Sequence, residues 1–245
     1  MTEEVLEETA LAPSELIELF KHRSATYGLL SRLYAKEVDA ELLDELHDTL
    51  WPIETGTDAG DTGNRLIATY LSGIWENTLT ELAADYMRTF FGHGYSGHAA
   101  AYPFESVYSS EKRLLMQSAR DEVLALYRAA GLSKQESWKE GEDHIALELE
   151  YLQILSDRTA EALCKGDTDT ATSWVRAQYN FLDVHLDSWA PLLTAEVKKF
   201  AKTDFYRGLA FLTEGFLETD REVLEELLAE DSRSGRSRPS RRPSK

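Results

Sequence analysis

Several things are scarce in this 245-residue chain, and each scarcity narrows the reading. There is one cysteine, Cys164. A lone thiol forms no internal disulfide and no cysteine zinc site, and it points to a reducing compartment. No apolar run approaches the ~18 residues of a membrane-spanning helix. The start, Met1-Thr2-Glu3-Glu4-Val5-Leu6-Glu7-Glu8, is acidic and lacks the basic-then-apolar order of a secretory signal. A cytoplasmic protein without stable membrane insertion is the expectation. Alternation of apolar and polar residues never persists long enough for a strand, and no repeat of fixed period is present. The phosphate-binding glycine loop, the dinucleotide Gly-x-Gly-x-x-Gly and the His-Glu-x-x-His zinc motif are all missing. So are the Glu-x-x-His pairs of a carboxylate di-iron bundle. No nucleophile and base are juxtaposed, so nothing speaks for an enzyme.

What is present is helical. Apolar residues make up 42% of the chain, enough for a packed core. Leu16, Phe20, Tyr27, Leu30 and Tyr34 recur on one helical face across 14–35, with Ser14 as the expected cap. Further helices are expected at 39–50, 66–75, 78–91, from about 109 to Gly131, 142–165, 167–185, 191–201, 204–217 and 220–230. The Gly-, Thr- and Asp-rich stretch 55–63 reads as a flexible loop. A second, glycine-rich loop covers 92–103, and a connector covers 133–141. The expected fold is an all-α bundle of about nine to eleven helices. Its body is 14–231, following a flexible 1–13, and a loop or hinge can separate halves 14–132 and 142–231. The stretch 232–245 contains only Ser, Arg, Pro, Gly and Lys and is expected to be a disordered basic tail.

Charge is unevenly spread. The net value is −18; setting aside six cations from Arg233 onward leaves −24 on the body. Such a body repels nucleic acid and attracts basic ligands. Arg241-Arg242 is a twin arginine, but no apolar segment follows it as an export signal would require. His144 and Glu148 stand one helical turn apart and can share a metal or simply hydrogen-bond. His93 and His98, on the glycine loop, could join them in a helical metalloprotein.

Two polar segments stand out. One is Tyr102-Pro103-Phe104-Glu105-Ser106-Val107-Tyr108, in which Glu105 and Tyr108 can meet on one face. The other opens the 142–165 helix with Glu142-Asp143-His144. Asp143 suits a helix N-terminus, and two flanking carboxylates favour the imidazolium of His144. Singly, each segment is an ordinary capping device.

Together they resemble the TorD/DmsD family of redox-enzyme maturation chaperones, over roughly residues 20–228. The resemblance includes Tyr27-Gly28-Leu29-Leu30-Ser31-Arg32-Leu33-Tyr34 and Asp85-Tyr86-Met87-Arg88-Thr89-Phe90-Phe91-Gly92. It continues through Pro103-x-Glu105-Ser106-Val107-Tyr108 and Asp143-His144-Ile145-x-x-Glu148-Leu149, and ends at Phe181-x-x-x-His185-Leu186-x-x-Trp189. It implies an all-helical, cytoplasmic, non-enzymatic protein without a resident cofactor. Such a protein binds the twin-arginine signal peptide and the apo form of a molybdopterin oxidoreductase. It assists molybdenum-cofactor insertion and delays export. The family also implies a monomer or a domain-swapped homodimer, and in some members a guanine nucleotide. On this reading Glu105, Glu142 and Asp143 meet the arginines and His144 orients Asp143. Tyr102, Phe104 and Tyr108 contact the apolar part, and Glu148 belongs to the same peptide-binding set. An acidic helical scaffold for a basic partner, without an export role, is the alternative.

Overall fold

The computed structural model describes residues 11–52, 54–92, 100–109 and 118–236. Among them the helices are α1 (Pro13–Ala35), α2 (Ala40–Asp48), α3 (Asp58–Leu71), α4 (Thr78–Tyr86), α5 (Glu105–Ser109), α6 (Ser118–Ala129), α7 (Ile145–Cys164), α8 (Thr168–Phe181), α9 (Asp187–Phe200) and α10 (Asp204–Arg236). Two five-residue π-helical turns widen the path. Met87–Phe91 extends α4, and Leu182–Leu186 joins α8 to α9 without a break. None of the described helices is long and apolar enough to cross a membrane.

Local chemistry sets the helix ends. In α1, Pro13 occupies the first turn, where its missing N–H costs nothing, and Glu15 reaches back to the Ala12 N–H at 2.7 Å. The cap is therefore at Ala12, not Ser14. Asp39 accepts from Leu42 N to start α2, and Asp167 accepts from Thr170 N to start α8. Gly131 and Gly166 follow α6 and α7 with φ of 72° and 70°, a left-handed conformation that favours glycine.

Three expectations need correction. Most of the 55–63 stretch is not a loop: Thr57 Oγ1 accepts from Gly60 N at 3.0 Å, and from Asp58 on it forms the start of α3. Its glycines serve close packing. A Cβ on Gly63 would collide with the backbone of Leu212 and approach the Gly208 carbonyl oxygen to 2.8 Å, so α3 and α10 meet nearly backbone to backbone. Next, 204–230 is one helix, not two. Asp220 resembles a cap in sequence, but its carboxylate is buried against α1 instead. Finally, α10 runs on through Arg236, so Ser232 to Arg236 is helical and only 237–245 of the basic tail lies outside the described residues.

One buried cluster unites these helices. It draws Phe20, Tyr27 and Tyr34 from α1, Leu149 and Leu152 from α7, Trp189 and Leu193 from α9, and Phe205 and Tyr206 from α10. Both stretches 14–132 and 142–231 contribute to it. The helix-starting carboxylate for α10 comes from afar. Asp85, buried in α4, accepts from Lys202 N, from Thr203 N at 2.7 Å and from Thr203 Oγ1 at 2.7 Å. Arg23 of α1 and Asp220 of α10 form a buried bidentate pair that Tyr27 Oη joins at 2.6 Å.

Candidate functional site

The two segments singled out by sequence lie side by side. Phe104 and His144 form an isolated antiparallel β-bridge. Glu105 N donates to the Asp143 carbonyl at 2.9 Å, and Ile145 N donates to the Pro103 carbonyl at 2.9 Å. This backbone pairing sets the N-terminus of α5 against that of α7.

Asp143 is fully buried, and its Oδ2 accepts from Ser106 N at 3.0 Å. It therefore caps α5, not the helix that follows it in sequence. The cap of α7 is His144, whose Nδ1 accepts from Ala146 N at 3.1 Å, so α7 starts three residues later than the sequence reading has it. The His144 ring is buried edge-on against Phe104, at 5.0 Å, and against Trp138, at 5.1 Å. Burial pushes its pKa down to about 3. This overturns the expected imidazolium, because desolvation among aromatic rings outweighs the flanking carboxylates. The accepting Nδ1 likewise requires the neutral ring.

Glu142 points the other way. Arg120 Nε lies at 2.5 Å and Lys134 Nζ at 3.1 Å, while Tyr127 Oη donates to the Glu142 carbonyl. Burial works against the charged carboxylate, but the bonds from Arg120 and Lys134 prevail and hold its pKa below the usual range. Glu105 is buried and meets His185 Nδ1 at 3.0 Å. Glu148, also buried, accepts from Trp189 Nε1 at 3.1 Å. Burial first, and then the neighbouring Glu105 carboxylate, push Glu148 well above the ordinary carboxylate range. Tyr108 and Glu105 do not meet each other: Tyr108 Oη donates to Glu196 at 2.8 Å, and the ring stacks on Trp189 at 5.7 Å.

The predicted residues are thus brought together, but most face inward. Phe104, Glu105, Glu142, Asp143, His144 and Glu148 are buried and Tyr108 partly so, whereas Tyr102 is 39% exposed. Three oxygens at this junction, Ser106 Oγ, Asp143 Oδ1 and Glu148 Oε1, are buried without a hydrogen-bond partner among the described residues. Gly141 leaves room for this arrangement, since a Cβ there would sit 2.7 Å from Asp143 Oδ1. Outside the junction, Trp138 and Leu147 border a cavity of about 430 Å³ that also touches Ser31, Arg32, Glu150 and Gln153.

Among the described residues, no group of three or more His, Cys, Asp or Glu side chains is placed to hold a metal. His93 and His98 lie outside the described residues. Sequence reasoning did not find Arg120, Lys134 or Trp138, which carry no local signature. His185 and Trp189 were visible only as the last part of the family resemblance.

Residues 57–195 match the family described as nitrate reductase delta subunit. The chain is 29% identical over 222 residues to "Chaperone protein TorD" of Shewanella oneidensis strain MR-1, covering 86% of this chain and 94% of that protein. It is 29% identical over 217 residues to the protein of the same name from Shewanella pealeana, covering 83% and 90%. The Vibrio cholerae serotype O1 protein of that name is 26% identical over 222 residues, covering 88% and 98%.

Proposed function

The chain belongs to the nitrate reductase delta subunit family, and from that premise we propose that it is a cytoplasmic chaperone for a molybdenum-cofactor oxidoreductase. It binds the twin-arginine signal peptide and the apoenzyme, assists cofactor insertion and delays export, without catalysing a reaction. The observation that carries this reading is the match to proteins named TorD chaperones across nearly the full length of both partners.

The chemistry of the chain is compatible with the task. An acidic surface suits a ligand that offers two arginines and an apolar stretch. Exposed ion pairs contribute only ~0.2–1 kcal/mol each, so apolar contacts supply most of the affinity. Exposed Tyr102 and partly buried Tyr108 form the face offered to the peptide, with buried Phe104 and the ion-paired Glu142 beneath it. Asp143, His144, Glu105 and Glu148 act from behind by fixing the 100–108 segment. Because Asp143 caps α5 and His144 caps α7, replacing both loosens the segment that presents Tyr102.

The test is calorimetric titration of a synthetic twin-arginine signal peptide into wild type and into the Asp143→Ala/His144→Ala variant, with circular dichroism to verify folding. The expected result is measurable wild-type affinity that weakens at least about tenfold in a folded variant, a loss of ~1.4 kcal/mol. Equal affinity would remove these residues from the site. Absence of binding by wild type to signal peptides of the host's own molybdoenzymes would remove the function.

A further inference from the structure

A separate cavity lies away from the junction of α5 and α7. It is an open groove of about 650 Å³ between α9 and α10, closed at one side by Ala59 at the start of α3. Its lining is apolar at Ala190, Pro191 and Leu217. Its rim carries five carboxylates, Asp187, Glu214, Glu218, Glu222 and Glu225, against the one guanidinium of Arg221. The local cations are already spoken for. Arg221 contacts Asp183, Asp187 and Glu225 within 3.3 Å, and Lys198 Nζ contacts Glu214 at 2.7 Å. Glu218 and Glu222 have no ionic partner among the described residues, and both are exposed. Burial raises the Asp187 carboxyl despite Arg221 beside it, and Asp183 adds to the effect. The other cavities lack this excess: those around Trp138, Tyr127 and Tyr86 have balanced or nearly balanced linings.

We infer that this groove is a docking site for the chain's own arginine-rich segment, residues 237–245. Two observations select that occupant. The first is charge: the segment carries Arg238, Arg241, Arg242 and Lys245 and no acid, the complement of the rim. The second is reach. The segment leaves from Arg236, at the end of the same helix that supplies Glu214 to Glu225. Glu225 lies eleven residues back along α10, or about 16 Å at 1.5 Å per residue. Arg241 and Arg242 lie five and six residues beyond Arg236, or about 17–21 Å in extended chain. A segment that turns back at the helix end lays the arginine pair beside Glu222 and Glu225. Tethering holds the ligand at millimolar effective concentration, so individually weak exposed pairs suffice. The inference is independent of the chaperone reading.

The experiment uses the full chain with Cys164→Ser, which removes the single exposed thiol, and spin labels at Ser240→Cys and Ala195→Cys. Ala195 is exposed on α9, one turn beyond Pro191. Double electron–electron resonance should show a narrow short-distance component. That component should fall several-fold in Arg238→Ser/Arg241→Ser/Arg242→Ser, in Glu218→Gln/Glu222→Gln, and in about 0.5 M salt, where screening lengths drop to about 4 Å. Neither pair of rim glutamates nor the segment is in the core, so folding is unaffected. A broad distribution unmoved by either variant overturns the inference. Loss with the arginine variant alone overturns the groove as the site. Loss on dilution with unlabelled protein shows a second copy's segment in the groove and overturns the intramolecular assignment.

Discussion

Replacing Asp220 by alanine should be among the most damaging single changes outside the glycine crossing. The carboxylate is 2% exposed, and its Oδ2 accepts both Arg23 Nη2 at 2.9 Å and Tyr27 Oη at 2.6 Å, while Oδ1 accepts Arg23 Nε. Arg23 is 3% exposed, its guanidinium lies 4.7 Å over the Phe20 ring, and its Nη1 already lacks a partner among the described residues. Removing the carboxylate strands a guanidinium and a phenol in a region where water cannot replace the lost bonds. Breaking one side of such a pair costs ~3–5 kcal/mol. Typical domain stabilities are ~5–15 kcal/mol, so the urea midpoint should fall by roughly a fifth or more at unchanged slope. Replacing both partners by apolar groups, Arg23→Met/Asp220→Leu, removes the stranded charge together with its counter-ion. Its cost should lie within ~1 kcal/mol of wild type, giving a coupling of several kcal/mol in the double-mutant cycle. Urea unfolding followed by circular dichroism measures all four corners. An Asp220→Ala loss below ~1 kcal/mol, or a double mutant as weak as the single losses summed, refutes the reasoning.

Other outcomes follow from the same geometry. Gly63→Ala should destabilise by ~1–3 kcal/mol despite alanine's better helix propensity, because the new methyl meets the Leu212 and Gly208 backbone; a thermal midpoint at or above wild type would contradict the close crossing. His144 has a folded pKa of about 3, below the ~6.5 of the unfolded chain, so the unfolded state binds the extra proton between those values. Stability should therefore fall as pH drops from 6.5 toward 3, and His144→Asn, which can still cap α7, should flatten that limb by up to ~1.4 kcal/mol per pH unit. Glu148 behaves oppositely. Its folded pKa lies above the unfolded value, so the stability it lends is complete below the unfolded value and is lost as pH rises toward the folded one. Glu148→Gln should gain on wild type at neutral pH, with the advantage vanishing near pH 4.5 in paired urea titrations.

The helical class could be read from periodicity because α1 and α7 bury long apolar faces with regular spacing. Gly131 and Gly166 mark the ends of α6 and α7 openly. The stretch 55–63 misled because glycine signals a turn when only local conformation is considered. Here it signals a neighbouring backbone about 150 residues away in sequence, which no local pattern reports. Asp220 misled for a related reason: an aspartate between apolar runs has the signature of a cap, and its partner is 197 positions distant. At the junction of α5 and α7, the residues were legible but their directions were not. Charged types ordinarily face water, so nothing in the sequence announces that Asp143 and Glu148 lie fully buried or that His144 sits between two aromatic rings. Family resemblance supplied the pairing of the two segments; only coordinates supplied the inward orientation.

The widened turn at Leu182–Leu186 constrains how this helix can vary over evolutionary time. A π turn accommodates about one residue more than an α turn of the same advance. Excising one residue there would let the helix run as a plain α-helix from Thr168 onward. Every downstream side chain would then rotate by about 100° and retreat by about 1.5 Å. Trp189, Leu193 and Val197, all fully buried, would swing out of the core, and Glu148 would lose its indole donor. Gaps near 182–186 in an alignment of relatives are therefore informative. A relative one residue shorter at that point must build the support of its α5–α7 junction from other side chains, however similar the flanking helices remain.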